Sequence, residues 1–468
     1  MSTLDRLPVV VIGAGPIGLA AAAHLHERGL TFVVLEAGDA PGAAVRQWGH
    51  VRVFSPWRYD IDPAARRLLD EAGWAAPEPE ALPTGAELVA DYLQPLAELP
   101  QLAPHIRYGA RVEAISRLGL DRTRTAGRDT TPFLLRLAGG DELLARAVID
   151  ASGTWGTPNV LGASGLPARG EADVTAYLEH ALPDVLGADR DRFVGRHTLV
   201  VGAGHSAANT LLSLAELSAV EPGTEVTWAI RSASAARTYG GGVADALPAR
   251  GALGSRLRAH VEAGRIRLLT GFSVHALTPT AGRVRVVVRA ADGADESITV
   301  DRVAAATGFR PDHSIAAELR LDLDPVLGAT RALAPLIDPN EHSCGTVPPH
   351  GVDELAHPES GYYAVGMKSY GRAPTFLLAT GYEQVRSVVA ALAGDWAAAR
   401  DVHLDLPETG VCTSNPVDSA SGDDCCGPAP ASGSAGRGLS TGLSGGLLSA
   451  PISLIPLDAV SAGGCCPS

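Results

Sequence analysis

The sequence predicts an α/β protein with two Rossmann-like three-layer domains, one inserted into the other, followed by a flexible C-terminal tail. Three observations carry that expectation. A short apolar run, a glycine turn and an alanine-rich helical stretch begin almost at residue 1. The same succession returns at residue 198, and from residue 413 onward Gly, Ser, Ala and Pro dominate.

The elements follow in order. Residues 9–12 (VVVI) read as a strand, residues 16–28 as a helix stopped by Gly29, and residues 31–35 as a second strand, completing a β-α-β unit. Residues 77–104, rich in Pro and Glu, suggest exposed connections, and residues 133–137 read as sheet. The second unit has a strand from Thr198 to Val201, a glycine turn, a helical stretch to about Leu217 and a strand over 226–230. Short alternating runs fill 265–303, including 284–288, before Thr307-Gly308. The expected organisation is a discontinuous first domain, 1–160 with 305–405, and an inserted second domain, 190–304. Residues 413–468 form the tail, whose composition offers little to offset the entropy of ordering it.

Composition narrows the function. The chain has 468 residues, 46% of them hydrophobic, enough for one large or two medium cores. A net charge of -14 repels phosphate backbones, so nucleic acid is not expected as a partner. No apolar run reaches the roughly 18 to 20 residues a bilayer span requires, and no basic stretch leads into an apolar one at the N-terminus. A soluble cytoplasmic protein is expected. Of six cysteines, Cys344 stands alone in the body, whereas Cys412, Cys425, Cys426, Cys465 and Cys466 all follow residue 411. The core is therefore not built on disulfides, and adjacent Cys-Cys pairs suit a redox relay or a soft metal.

Gly13-Ala14-Gly15-Pro16-Ile17-Gly18 follows a strand and opens a helix. Such glycines permit the tight turn, the approach of backbone to a pyrophosphate and close helix–strand packing. Glu36 ends the next strand, 23 residues after the first glycine, where a carboxylate accepts hydrogen bonds from an adenosine ribose. Gly202-Ala203-Gly204-His205-Ser206-Ala207 repeats the design, with His205 and Ser206 serving the turn and the helix start. The residue after its following strand is Arg231, with Arg237 six residues on; guanidinium groups there suit a 2′-phosphate. Two such sites, the acidic one first, suit FAD followed by NADPH, the nicotinamide passing hydride to the flavin.

On these motifs the chain resembles the two-dinucleotide-binding flavoproteins, and among them the flavin-containing monooxygenase-like branch, over about residues 5 to 400. Asp150-Ala151-Ser152-Gly153 and Ala305-Ala306-Thr307-Gly308 are similar to the family's crossovers between its FAD and NADPH domains. The resemblance assigns cofactor contacts to Gly153, Gly308 and Val112, whose backbone would meet the adenine, and Trp48 is expected to pack near the isoalloxazine ring. More narrowly, four segments look like flavin-binding monooxygenase-like proteins of bacterial arsenic-resistance gene clusters: 48–57, 201–208, 340–350 and 366–375. There are departures. Residues 168–193 contain no Phe-x-Gly-x-x-x-His, the body has no Cys-x-x-Cys, and Gly366-Met367-Lys368 lacks the acid many relatives carry after the glycine.

Lys368, the only lysine, is a candidate for placing positive charge near reduced flavin, and Cys344, between His342 and His350, is a candidate reactive thiol. Cys425, Cys426, Cys465 and Cys466 are candidate thiolate ligands for As(III). The expected activity is NADPH-dependent, FAD-mediated monooxygenation of a small soft substrate, with O2 and that small molecule as partners and a homodimer as the assembly. The alternatives are a thiol or metalloid reductase working through Cys344 and the tail dithiols, and a metalloid-binding flavoprotein without turnover.

Overall fold

The computed structural model describes residues 4–240, 242, 245, 247–289, 295–339, 347–374 and 376–404. Cys344 and the five later cysteines lie outside the described residues, as does the whole of 413–468.

Sixteen strands occur among the described residues. The first seven are β1 (Val9–Ile12), β2 (Phe32–Leu35), β3 (Ile106–Arg107), β4 (Val112–Arg117), β5 (Phe133–Leu137), β6 (Glu142–Ala145) and β7 (Ala147–Asp150). Next come β8 (Leu178–Glu179), β9 (His197–Val201), β10 (Glu225–Ala229), β11 (Arg267–Leu269), β12 (Val274–Thr280) and β13 (Arg283–Arg289). β14 (Asp295–Val300), β15 (Arg302–Ala305) and β16 (Tyr362–Ala364) complete the set. Three long helices matter below: α1 (Pro16–Glu27), α2 (His205–Val220) and α3 (Leu378–Leu392).

One parallel sheet has the order β16-β7-β1-β2-β3, and another has the order β11-β10-β9-β15-β8. Each is sandwiched. In the first sheet Val9 and Val11 face a core shared with α1 and α3, whereas Val10 and Ile12 face the antiparallel ribbon β4-β5-β6 through Ile115, Phe133 and Leu135. The second repeats this: Val200 and Trp228 pack on α2, while Leu199 and Val201 pack on the ribbon β12-β13-β14. Strands buried on both faces explain why VVVI and LVV are continuous apolar runs rather than alternating ones. The first sheet also draws its edge strand β16 from residues far beyond the second sheet.

One expectation is corrected. Residues 77–104 are not simply exposed connections: exposed positions alternate with a face of Leu88, Val89, Tyr92, Leu93 and Leu96 that is buried in the first core. Thr84 and Glu87 form a reciprocal capping box that starts this helix, and a widened turn over Leu88–Leu93 precedes Pro95. Apolar residues spaced three and four apart outweigh the loop-like flank.

Candidate dinucleotide sites

At the first turn each glycine has its own reason. Gly13 holds φ +101, and a Cβ there would sit 2.8 Å from the Ala151 carbonyl oxygen. A Cβ on Gly18 would sit 1.9 Å from the Gly13 oxygen, so α1 packs on the strand only without one. Gly15 has nothing within 4 Å of that position, leaving a backbone-lined cradle open where α1 begins with Pro16. Unpaired N–H groups and the helix dipole make such an end favourable for phosphate. Glu36 closes the far side: its carboxylate accepts from the Ala14 and Gly38 amides, both at 2.7 Å. The backbone carbonyl of Glu36 accepts from the Ala110 amide at 2.8 Å, which carries the chain into Val112, the first residue of β4.

The second turn has the same construction. Gly202 holds φ +144, a Cβ on it would sit 2.0 Å from the Ala306 oxygen, and Gly204 is open. Fully buried Ala207 takes the third position, and half-buried Ser206 lies in the first turn of α2. The Trp228 indole donates to the Gly202 carbonyl at 2.7 Å, and Thr238 donates to the Ala203 carbonyl at 3.0 Å. The loop carrying exposed Arg231 and Arg237 is thereby tied over the turn; Arg231 itself donates to the Ala163 carbonyl at 3.2 Å.

The crossovers containing Gly153 (φ +69) and Gly308 (φ +86) run side by side. Asn159 N–H donates to Gly308 at 2.9 Å, Arg310 N–H donates to Thr157 at 3.0 Å, and Trp155 lies between His180 and Phe309. At the end of β7, Asp150 is fully buried and accepts from the Lys368 ammonium at 2.7 Å and from Tyr362 at 2.9 Å. Burial pushes the Asp150 carboxyl up, but the Lys368 charge and hydrogen bonds from Lys368 and Ser152 outweigh it and hold the group below the usual carboxylate range. Lys368 is only 1% exposed, so its charge is compensated within the protein rather than held free.

Half-buried Trp48 lies on Gly85, where a Cβ would meet its ring at 2.7 Å. Six residues on, Phe54 meets His205 with ring centroids 4.9 Å apart, joining this segment to the second turn. A cavity of about 170 Å³ opens beside that contact, lined by His50, Val51 and Arg52 and by Asn209, Ser213 and Arg256. Sequence reasoning named Asp150 and Phe54 within motif segments but not their partners Lys368 and His205, which lie far away in the chain, and it missed Asp60, which belongs to no motif. Among the described residues no cluster of His, Cys, Asp and Glu could hold a metal ion, and no helix is long and apolar enough to cross a membrane.

Two parallel sheets, each with an open glycine cradle at a helix start, have the construction of dinucleotide-binding domains. A family model described as pyridine nucleotide-disulphide oxidoreductase matches residues 10–326, and the chain belongs to that family; it is an FAD-dependent oxidoreductase. It is 30% identical over 325 residues to a ferredoxin–NADP reductase of Salinispora tropica, covering 69% of this chain and 80% of that one. It is 31% identical over 210 residues to indole-3-pyruvate monooxygenase YUCCA1 of Oryza sativa subsp. japonica, a match spanning 44% of each, less than half of the plant protein. Bacillithiol disulfide reductase from Bacillus cereus shares the fold, with TM-score 0.61 and 19% identity over 83% of this chain and 99% of that one.

Proposed function

We propose that the chain is an NADPH-dependent FAD monooxygenase acting on a small soft nucleophile, an arsenic or sulfur compound, in arsenic resistance. The observation that carries the cofactor assignment is the opposite charge at two otherwise equivalent strand ends: Glu36 beyond β2 and Arg231 beyond β10. FAD belongs on the first turn, with Gly13, Gly15, Pro16 and Gly18 lining the pyrophosphate, Glu36 accepting from the ribose and the Val112 backbone meeting the adenine. NADPH belongs on the second, with Gly202, Gly204 and Ser206 at the pyrophosphate and Arg231 and Arg237 at the 2′-phosphate. The FAD lobe is then 1–160 with 305–405, and the NADPH lobe is 190–304. When bound, the two cofactors would supply the electron pair of a hydride which, with one proton, lets one atom of O2 enter the substrate and the other leave as water.

The chain's own residues bind and orient. Trp48 supplies an aromatic wall, Gly153 and Gly308 let the crossovers pass close to the cofactors, and the Lys368–Asp150 pair holds the first crossover against the residues after β16. The soft-substrate assignment is supported by the resemblance of 48–57, 340–350 and 366–375 to proteins of arsenic-resistance clusters. Monooxygenation is supported by the single cysteine in residues 1–411, which gives a thiol-reductase route no Cys-x-x-Cys there. The test uses heavy-isotope O2 with the purified holoprotein, NADPH and a trivalent organoarsenical or a thioether. One labelled oxygen per product molecule is expected; NADPH turnover without label in any product overturns the monooxygenase assignment. That second outcome favours electron delivery to a protein or thiol acceptor, the reading to which the ferredoxin–NADP reductase likeness and the pairs Cys425-Cys426 and Cys465-Cys466 lend weight.

A further inference from the structure

Residues 48–60 form a strap between the two dinucleotide turns. At one point Phe54 rests on His205, the first residue of α2. At its end the short helix Trp57–Asp60 is tied to α3, where the Tyr382 hydroxyl donates to the Asp60 carbonyl at 2.7 Å. Asp60 is 1% exposed. Its Oδ1 accepts from the Ser55 hydroxyl at 2.7 Å, and its Oδ2 is buried without a hydrogen-bond partner. Among the described residues no cation is brought to it: Tyr382 and Tyr92 face it, Asp62 bonds the Tyr92 hydroxyl through its amide, and His24 pairs with Asp62. On the strap itself Arg58 pairs with Glu80 instead.

We infer that Asp60 is a positioning residue: as an un-ionised acid it keeps the strap seated against α3, and its ionisation loosens the strap where Phe54 meets the second turn. An ionised carboxylate here would be dry and without a cationic partner, with one oxygen left without any hydrogen bond, an arrangement proteins avoid. Burial raises the Asp60 carboxyl from 3.8 to about 7, the Ser55 hydrogen bond opposing part of that rise. The sign follows. The seated strap keeps a proton that a released or unfolded strap sheds near 3.8, so seating is favoured at low pH, weakens as pH rises and levels off above about 7. His205 does not mimic this: desolvation at the Phe54 contact and then the Arg250 charge lower its imidazole, so its contribution weakens seating as pH falls, the opposite direction to Asp60.

The inference rests on the proposed NADPH site for one of two readouts. Thermal melts of wild-type and Asp60→Asn holoprotein are compared from about pH 4 to about pH 9. The Asn variant, a neutral isostere, is expected to gain midpoint over wild type as pH rises to about 7, the gap then staying constant. The rate at which NADPH bleaches the flavin is expected to follow the same profile in wild type and to lose that component in the variant. A gap that does not change with pH, or a variant destabilised at every pH, overturns the inference. Should Asp60→Asn fail to fold, Ser55→Ala decides: it raises the Asp60 carboxyl further, so the levelling point must move to higher pH, and an unmoved profile overturns the inference. If NADPH bleaches the flavin at no pH, the proposed function fails while the melts still decide on Asp60.

Discussion

The two dinucleotide turns are built to one plan and finished differently. Gly13 and Gly202 each press against the carbonyl of a neighbouring crossover, Ala151 in one case and Ala306 in the other. Behind them the equivalence breaks. Asp150 stands opposite Ile12 in the first sheet, and the corresponding place opposite Val201 is Ala305. The first turn therefore rests on a buried ion pair that reaches into the C-terminal part of the chain through Lys368, whereas the second rests on packed alanine and on the Trp228 indole. The strand tips differ too, Glu36 being bonded into its own turn and Arg231 exposed. Both turns share the geometry of a dinucleotide cradle, and they differ in the charges that stand beyond it.

The largest expected effects separate the two turns. Gly18→Ala, which puts a methyl group 1.9 Å from the Gly13 oxygen, should yield protein without bound flavin, read as flavin absorbance per chain. Gly202→Ala, clashing at 2.0 Å, should keep the flavin yet raise the Kd for NADPH by about 10- to 100-fold, since strain of this kind costs about 1–3 kcal/mol. Equal loss of both cofactors in either variant would erase the comparison.

Next in size is the ion pair. Lys368→Met leaves Asp150 buried and unpaired, and should lower stability by about 3–5 kcal/mol in denaturant melts, with flavin lost before affinity for NADPH. Adding Asp150→Asn should recover part of the loss. A surface-like change of a few tenths of a kcal/mol would mean that the pair does not hold the first crossover.

Changes at the strand tips sharpen the charge difference, the smallest expected effect being at Arg231. Glu36→Ala should weaken FAD by about 10- to 100-fold, the worth of charge-assisted hydrogen bonds. Arg231→Ala, at an exposed position, should weaken NADPH by about fivefold, leave NADH unchanged and lose its effect at high salt. Equilibrium titrations with both nucleotides check the pair, and a variant that weakens NADH as much as NADPH would remove the 2′-phosphate role.

Much of this was legible in the sequence because the relevant constraints are local. Val9–Ile12 and Phe133–Leu137 occur where apolar runs place them, and Gly13, Gly15 and Gly18 occupy one turn because a strand–turn–helix needs them within six residues. Tertiary packing overrode local composition in 77–104, where Leu88, Tyr92 and Leu96 find a core that a Pro- and Glu-rich flank does not announce. Lys368 illustrates the limit of such reading: its identity as the only lysine was plain, yet its partner lies 218 residues away.

By itself, then, the sequence determined the two β-α-β units, their glycine turns and the acid and arginine that follow them, because each depends on backbone sterics and spacing within about one supersecondary unit. Only the tertiary structure decided which charges are compensated and which are stranded. Asp150 receives Lys368, Asp60 receives a single hydroxyl, and Phe54 reaches His205, since burial and long-range contact are properties of the packed chain.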